Sequence, residues 1–344
     1  MAQRARKPII GVDAMGGDRA PRVVIEGALE AAREAQGAYE ILLVGDEARI
    51  REEAERIGVR ESLPRIAHAP ETVDMSESAA ASVRRKKGSS INVAARLQKE
   101  HETDAMVSAG NTGAVVATAL LGLGRIESVE RPAIATILPT PQGSVVILDV
   151  GATSDCKPYH LFQFAMMGSI YARLVLHVER PRVGLLNIGE EAEKGSELYY
   201  EAHRLLKQSP PVHFVGNVEG RDIILGTADV VVCDGFVGNV LLKFAESVIP
   251  SVGHMIKDEI SADPLTALAG LLLKPAFRRL RRRLDYAEVG GAPLLGVKGT
   301  CIIAHGRSNA RAMMNAIRVA ARCAQANLIE SIREELQRIA PEAA

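Results

Sequence analysis

Short aliphatic and β-branched runs alternate along the chain with longer stretches whose apolar positions recur at helical spacing. The runs predict strands at Pro8–Ala14, Glu40–Gly45, Asp104–Gly110, Ala133–Thr140, Ser144–Gly151, Arg182–Gly189, Val212–Val218, Ala228–Gly235 and Gly299–Gly306. The longer stretches predict helices at Arg22–Gln36, Asp46–Ile57, Ser89–Glu100, Ala114–Leu123, Tyr159–Leu176, Ser196–Gln208 and Val237–Ser251, with a last helix from Ser308 towards Ile339. Strands that are apolar at nearly every position are buried on both faces. Their alternation with helices predicts an α/β fold, a three-layer sandwich around a mainly parallel sheet.

Several predicted strands finish in glycine or a polar residue: Asp13, Ser108-Ala109-Gly110-Asn111, Asp149, Asn187-Ile188-Gly189, Gly216-Asn217 and Asp234-Gly235. Taken singly, each reads as a turn that needs glycine or asparagine. Taken together, they predict one sheet edge with a ligand crevice along it.

Composition narrows the function. The 344 residues are 47% hydrophobic, enough for a large core, and the basic and acidic residues balance at 42 each. That balance, with no tryptophan, argues against nucleic acid as a partner. Cys156, Cys233, Cys301 and Cys323 are scattered, so neither a metal site nor a disulfide framework is expected, and reduced cytoplasmic thiols fit better. The basic start lacks the apolar core of a secretory signal, and no apolar run is long enough to cross a bilayer.

Four motifs carry candidate chemistry. Val12–Pro21 places Asp13, Gly16, Gly17 and Asp18 between a strand and a helix. Ser108–Ala114 opens a helix with Gly110, Asn111, Thr112 and Gly113; it is either a cradle for an anion or an ordinary helix cap. Asn187–Leu198 sets Lys194 among glutamates, as a cation for phosphate or an oxyanion, or as part of a solvated loop. Cys233–Lys243 places Asn239 on a first helical turn, where it can donate to a carbonyl oxygen or bond locally. His305 ends a strand, as an acid–base group or a structural residue.

The segment at about 250–286 is amphipathic. Leu265, Leu268 and Leu272 recur at helical spacing, Pro275 predicts a kink, and Phe277 and Leu280 resume the pattern. Lys274, Arg278, Arg279, Arg281, Arg282 and Arg283 load the other side. An apolar face with a basic flank fits a helix lying on an anionic membrane surface; a dimer-interface helix or a dock for an acidic partner are the alternatives. Arg84–Lys87 is a second basic cluster, read first as a solvated face.

From Ile9 to Leu336 the motifs VDAMGGDRAP, SAGNTGA, LDVGA, LNIGEE with a following KG, GNVEGRD, CDGFVGNVLLK, GGAPLLGVKG and AHGRS occur in the order of the bacterial phosphate acyltransferase family, which this chain resembles. The resemblance implies one acyltransferase domain over 8–340, with a protruding helical segment at about 250–286 and a fold like phosphotransacetylases and isopropylmalate-type dehydrogenases. It implies transfer of a long-chain acyl group from acyl carrier protein to inorganic phosphate, with no cofactor and no metal, by a homodimer at the inner face of the cell membrane. The acyl phosphate then feeds a membrane-bound glycerol-3-phosphate acyltransferase. On this reading Lys194 and Asn239 are catalytic. Gly110, Asn111, Thr112, Gly113, Gly16, Gly17, Asp13, Asp18 and His305 line the substrate or phosphate site. Arg278, Arg279 and Arg282 dock the carrier, while Leu265, Leu268, Leu272, Phe277 and Leu280 meet the membrane. A coenzyme A-dependent phosphotransacetylase, a nicotinamide-dependent dehydrogenase of the same fold and a non-enzymatic membrane scaffold are the rivals. The dehydrogenase lacks an evident arginine cluster and metal-binding aspartates.

Overall fold

The computed structural model describes residues 6–59, 63–209, 211–284 and 290–339, with side chains left undescribed at 281–284. Eleven strands form one sheet in the order β3-β2-β1-β4-β11-β10-β5-β6-β9-β7-β8. They are β1 (Ile9–Asp13), β2 (Glu40–Gly45), β3 (Arg65–His68), β4 (Ala105–Ser108), β5 (Ala133–Thr140), β6 (Gly143–Leu148), β7 (Arg182–Leu186), β8 (His213–Val218), β9 (Val230–Val232), β10 (Ala292–Leu295) and β11 (Thr300–Ile303).

Helices cover both faces, as the double-sided burial of the strands requires. One face carries α1 (Arg22–Ala35), α6 (Pro158–Val175), α7 (Glu197–Lys207), α11 (Ala310–Gln325) and α12 (Leu328–Ile339), packed around Ile10, Val12, Phe164, Met167 and Ile317. The other carries α3 (Ala79–Arg85), α4 (Ser90–Lys99), α5 (Thr112–Thr118), α8 (Gly220–Leu225) and the start of α9 (Gly235–Ser261), around Met106, Val115, Val231 and Ile303. Alternate β4 residues serve the two cores, Ala105 and Val107 facing one and Met106 the other. The helix α2 (Glu47–Arg56) is capped by Asp46, whose carboxylate accepts from Ala48 and Arg49 N–H.

Seven strand pairs are parallel, and three antiparallel pairs, β11–β10, β10–β5 and β5–β6, lie in the middle. This corrects one expectation. Three reversals turn the β6–β9–β7–β8 half against the β3–β2–β1–β4–β11 half, so their carboxyl ends lie on opposite edges of the sheet.

Three further differences have local causes. The last helix is two, α11 and α12, divided where Asn327 takes φ 48°. The helix beginning at Gly235 runs ten residues past the expected Ser251, with Pro250 inside it. Its partner α10 (Pro264–Leu284) continues through Pro275 as one element, and both prolines sit on exposed turns where water can reach the backbone groups they leave without partners.

Two candidate sites on opposite sheet edges

The first edge gathers the ends of β1, β4 and β11. The Asp13 carboxylate is buried; its Oδ2 accepts from Ser108 Oγ at 2.7 Å and its Oδ1 from Met15 N at 3.1 Å. Burial pushes the Asp13 carboxyl above its ordinary range, against the pull of hydrogen bonds from Ser108 and Ser90. Ser108 Oγ in turn accepts from Gly110 N at 3.1 Å. A Cβ on Gly16 would stand 2.7 Å from both Asp13 Oδ2 and Gly110 N, so only glycine lets the two loops meet. Gly17 has φ +107°, and Asp18 N donates to Gly306 O at 2.9 Å, which brings in the His305 loop. His305 is exposed, and its Nδ1 accepts from Arg307 N at 3.1 Å.

Asp13, Gly16, Gly17, Asp18, Gly110 and His305 therefore share one rim. Asn111 joins them as a cap: its Oδ1 accepts from Ala114 N at 3.0 Å and its Nδ2 donates to Met75 O at 2.8 Å. Each end of its amide makes one bond to the protein, and Thr112 and Gly113 are the exposed positions of the first turn of α5. Lys86 is likewise committed; it pairs with Glu77 and donates to Thr72 O at 2.8 Å.

The opposite edge gathers the ends of β6, β9 and β7. Asp234 caps α9, its Oδ1 accepting from Phe236 N at 2.9 Å and Val237 N at 3.0 Å. Its Oδ2 accepts from Tyr199 Oη at 2.6 Å, which clasps α9 to the first turn of α7. Burial, then this bond, drives the Tyr199 hydroxyl pKa well above its ordinary range. The loop bearing Lys194 lies between β7 and α7. Asn187 Nδ2 donates to Lys194 O at 2.9 Å, and Gly195, at φ +94°, leaves no room for a Cβ against Asn187. Lys194 is exposed, and no carboxylate pairs with it among the described residues, whereas neighbouring Glu190 bonds Arg221 at 3.0 Å. Asn239 is half-buried, and its Nδ2 donates to Val150 O at 3.3 Å.

Lys194 and Asn239 thus share one edge, and Gly16, Gly110, Thr112 and Gly113 the other. At ordinary strand spacing and rise the two lie roughly 25 Å apart within one chain. The cysteines offer no ready nucleophile. Cys233, Cys301 and Cys323 are buried, and burial pushes the half-buried Cys156 up to about 12.

Asp149 is the residue that sequence reasoning passed over, noted only as a strand end. It is buried and collects four backbone N–H groups, from Ile134, Gly151, Ala152 and Thr153. Outside both edges, α9 exposes Phe236, Val240, Phe244, Val248 and Val252, one per turn. The helix α10 exposes Leu265, Leu268, Leu272, Phe277 and Leu280, with Leu272 at 80%. Lys274, Arg278 and Arg279 are exposed as well, while the side chain of Arg282 lies outside the described residues. Among the described residues no helix is long and apolar enough to cross a membrane.

The sequence profile of a family described as a fatty acid synthesis protein matches residues 9–331. A phosphate acyltransferase from Desulfitobacterium hafniense is 53% identical over 330 residues, covering 96% of this chain and 98% of that one. One from Heliobacterium modesticaldum is 54% identical, over 95% and 97% of the two chains. Among solved structures, a phosphotransacetylase from Streptococcus pyogenes superposes with a TM-score of 0.61 at 16% identity, covering 93% of this chain and 95% of the other. A branched-chain phosphotransacylase from Enterococcus faecalis gives 0.60 at 13% identity, over 92% and 99%. The structural likeness shows the fold; identity above 50% over nearly the whole length shows more, and the chain belongs to the phosphate acyltransferases, enzymes that transfer an acyl group to phosphate.

Proposed function

We propose that this acyltransferase moves a long-chain fatty acyl group from acyl carrier protein to inorganic phosphate, giving an acyl phosphate for phospholipid synthesis. The observation that carries the reading is that Lys194, an ammonium with no carboxylate partner among the described residues, lies in the loop after β7, and Asn239 on the helix that follows the adjacent β9. A phosphate oxygen attacks the thioester carbonyl. The C–O bond forms, the C–S bond breaks, and the electron pair leaves on the carrier's sulfur. Phosphate near neutral pH is already an anionic nucleophile, so the protein's task is to aim it and to stabilise the oxyanion. Lys194 offsets the charge of phosphate and the oxyanion, and Asn239 donates to the carbonyl oxygen as it becomes negative. No cofactor takes part.

The first edge, with Gly16, Gly17, Gly110, Thr112 and Gly113, forms the anion cradle for phosphate or the thioester end of the carrier arm. Asp13 and Asn111 shape it, and Asp18 and His305 border it. Reacting atoms must approach to about 3 Å, which one chain with its edges on opposite sides does not allow. A homodimer answers this by setting one protomer's cradle against its partner's Lys194 and Asn239. The exposed stripe on α9 supports such pairing. The pair α9 and α10, within one domain over 8–340, rests its leucines on the anionic inner membrane surface, where the downstream glycerol-3-phosphate acyltransferase would take the product. Arg278, Arg279 and Arg282 dock the acidic carrier.

The test is phosphate-dependent release of carrier thiol from palmitoyl-acyl carrier protein, with acyl phosphate trapped by hydroxylamine. Lys194→Ala and Asn239→Ala should each lower kcat by about 10²–10³, the usual loss for one oxyanion donor. Near-normal turnover in both variants would remove the centre from this edge. Faster turnover with acyl-coenzyme A would replace the carrier as donor.

A further inference from the structure

We propose that Asp149 is a positioning residue for the reaction centre: its carboxylate shapes the turn Val150–Thr153, and that turn holds both the Asn239 amide and the first turn of α9. The inference rests on the reading of Asn239 as a group that touches the reacting atoms.

Asp149 follows the last residue of β6 and is fully buried. No cation pairs with it among the described residues. Instead its Oδ1 accepts from Ile134 N at 2.8 Å and from Gly151 and Ala152 N, both at 3.0 Å, and its Oδ2 accepts from Thr153 N at 2.6 Å. Only a carboxylate brings two oxygens and no hydrogen to collect four N–H groups at one point. Three of those donors belong to the turn itself. The fourth, on β5, pins the turn to the neighbouring strand.

The same turn faces α9. Thr153 O accepts from Gly235 N at 2.9 Å, and Val150 O accepts from Asn239 Nδ2 at 3.3 Å. The fit leaves no slack. A Cβ on Gly235 would stand 2.5 Å from Asp149 Oδ2, and one on Gly238 would stand 1.9 Å from Asp149 O. A Cβ on Gly151 would stand 2.7 Å from Asn239 Nδ2. The direction of the Asn239 amide is therefore set by the Val150 carbonyl, and the position of that carbonyl is set by the Asp149 carboxylate. A donor aimed in advance at a developing oxyanion needs such backing, because a small displacement forfeits much of its effect.

The experiment is a double-mutant cycle on the full-length enzyme, using phosphate and palmitoyl-acyl carrier protein. Asp149→Asn keeps the shape but turns an NH₂ group towards backbone N–H donors. Acting through Asn239, it should lower kcat by about 10-fold or more, leave the phosphate KM within about twofold, and cost less than about threefold further in an Asn239→Ala background. Wild-type kcat in Asp149→Asn, or effects that multiply in the double variant, would overturn the positioning role. Wild-type turnover in Asn239→Ala would instead remove the reading of Asn239 and this inference with it. Should Asp149→Asn fail to fold, Gly151→Ala crowds the amide and strains the turn at φ +140° while the carboxylate stays in place. It should show the same loss of kcat and the same lack of additivity, and unchanged kcat there would overturn the proposal.

Discussion

At the scale of single residues, the chain commits several charged and polar groups to structure. Glu77 accepts from Ser82 Oγ at 2.6 Å and pairs with Lys86, whose hydrogen bond is the main cause that holds its carboxyl at about 2, well below the ordinary 4.5. A carboxyl depressed in the folded state stabilises above its unfolded value, and that contribution is lost as pH falls from about 4.5 to about 2. Glu77→Gln should therefore lower the Tm at pH 7, with the gap to wild type closing across that window in thermal unfolding scans. Lys86 was legible in sequence only as one of four consecutive basic residues, because its partner is nine residues away. Asn111 shows the same limit. Its motif announced a helix cap or an anion cradle; the cap is present, and its second anchor, the Met75 carbonyl, lies 36 residues away in sequence. Asp149 was visible as a polar strand end, but the four N–H groups it gathers include one on another strand. Lys194 and Asn239 stood out through the motifs shared with the acyltransferase family rather than through local pattern, and the structure places both on one edge.

Among the elements, the strands with unbroken apolar runs were legible to within a few residues, β2 and β5 at both ends. Those that escaped notice are short or interrupted. The edge strand β3 is four residues of mixed polarity, and β10 carries Pro293 in a segment rich in glycine. The helices α3 and α8 are seven and six residues long, too short for a period to register. In the α10 segment the period was plain, and the expected kink position proved to be mid-element. If α10 rests on a bilayer, each inserted leucine contributes about 1.5–3 kcal/mol, and each nearby basic residue about 1 kcal/mol at an anionic surface. Leu265→Asp with Leu272→Asp should thus weaken binding to phosphatidylglycerol vesicles, read by co-sedimentation, at least about 100-fold. Carrier-dependent turnover in detergent-free buffer should remain. Vesicle binding that is unchanged in this variant would dismiss the bilayer as the covering of α10.

The whole molecule is organised by the reversal of strand direction at its centre. Two edges that point opposite ways put the Gly16–Gly110 loops and the Lys194 and Asn239 positions on different sides of one chain. If the proposed homodimer shares its sites between protomers, mixing Asn239→Ala chains with Gly16→Ala chains after unfolding and refolding together should restore up to a quarter of wild-type activity, since half the dimers would be mixed and each mixed dimer would regain one intact site of two. Activity no higher than the parents' would mean that each chain works alone. This split was hidden in the sequence because strand direction depends on which strands pair, and β10 and β11 pair with strands more than 150 residues earlier. The same late insertion bears on synthesis. Until residues 292–303 leave the ribosome, β4 and β5 each lack a neighbour and present open hydrogen-bonding edges for on the order of 10 s of translation. The nascent chain is thus most exposed to mispairing in the middle of its production, and its protection arrives with the last fifth of the polypeptide.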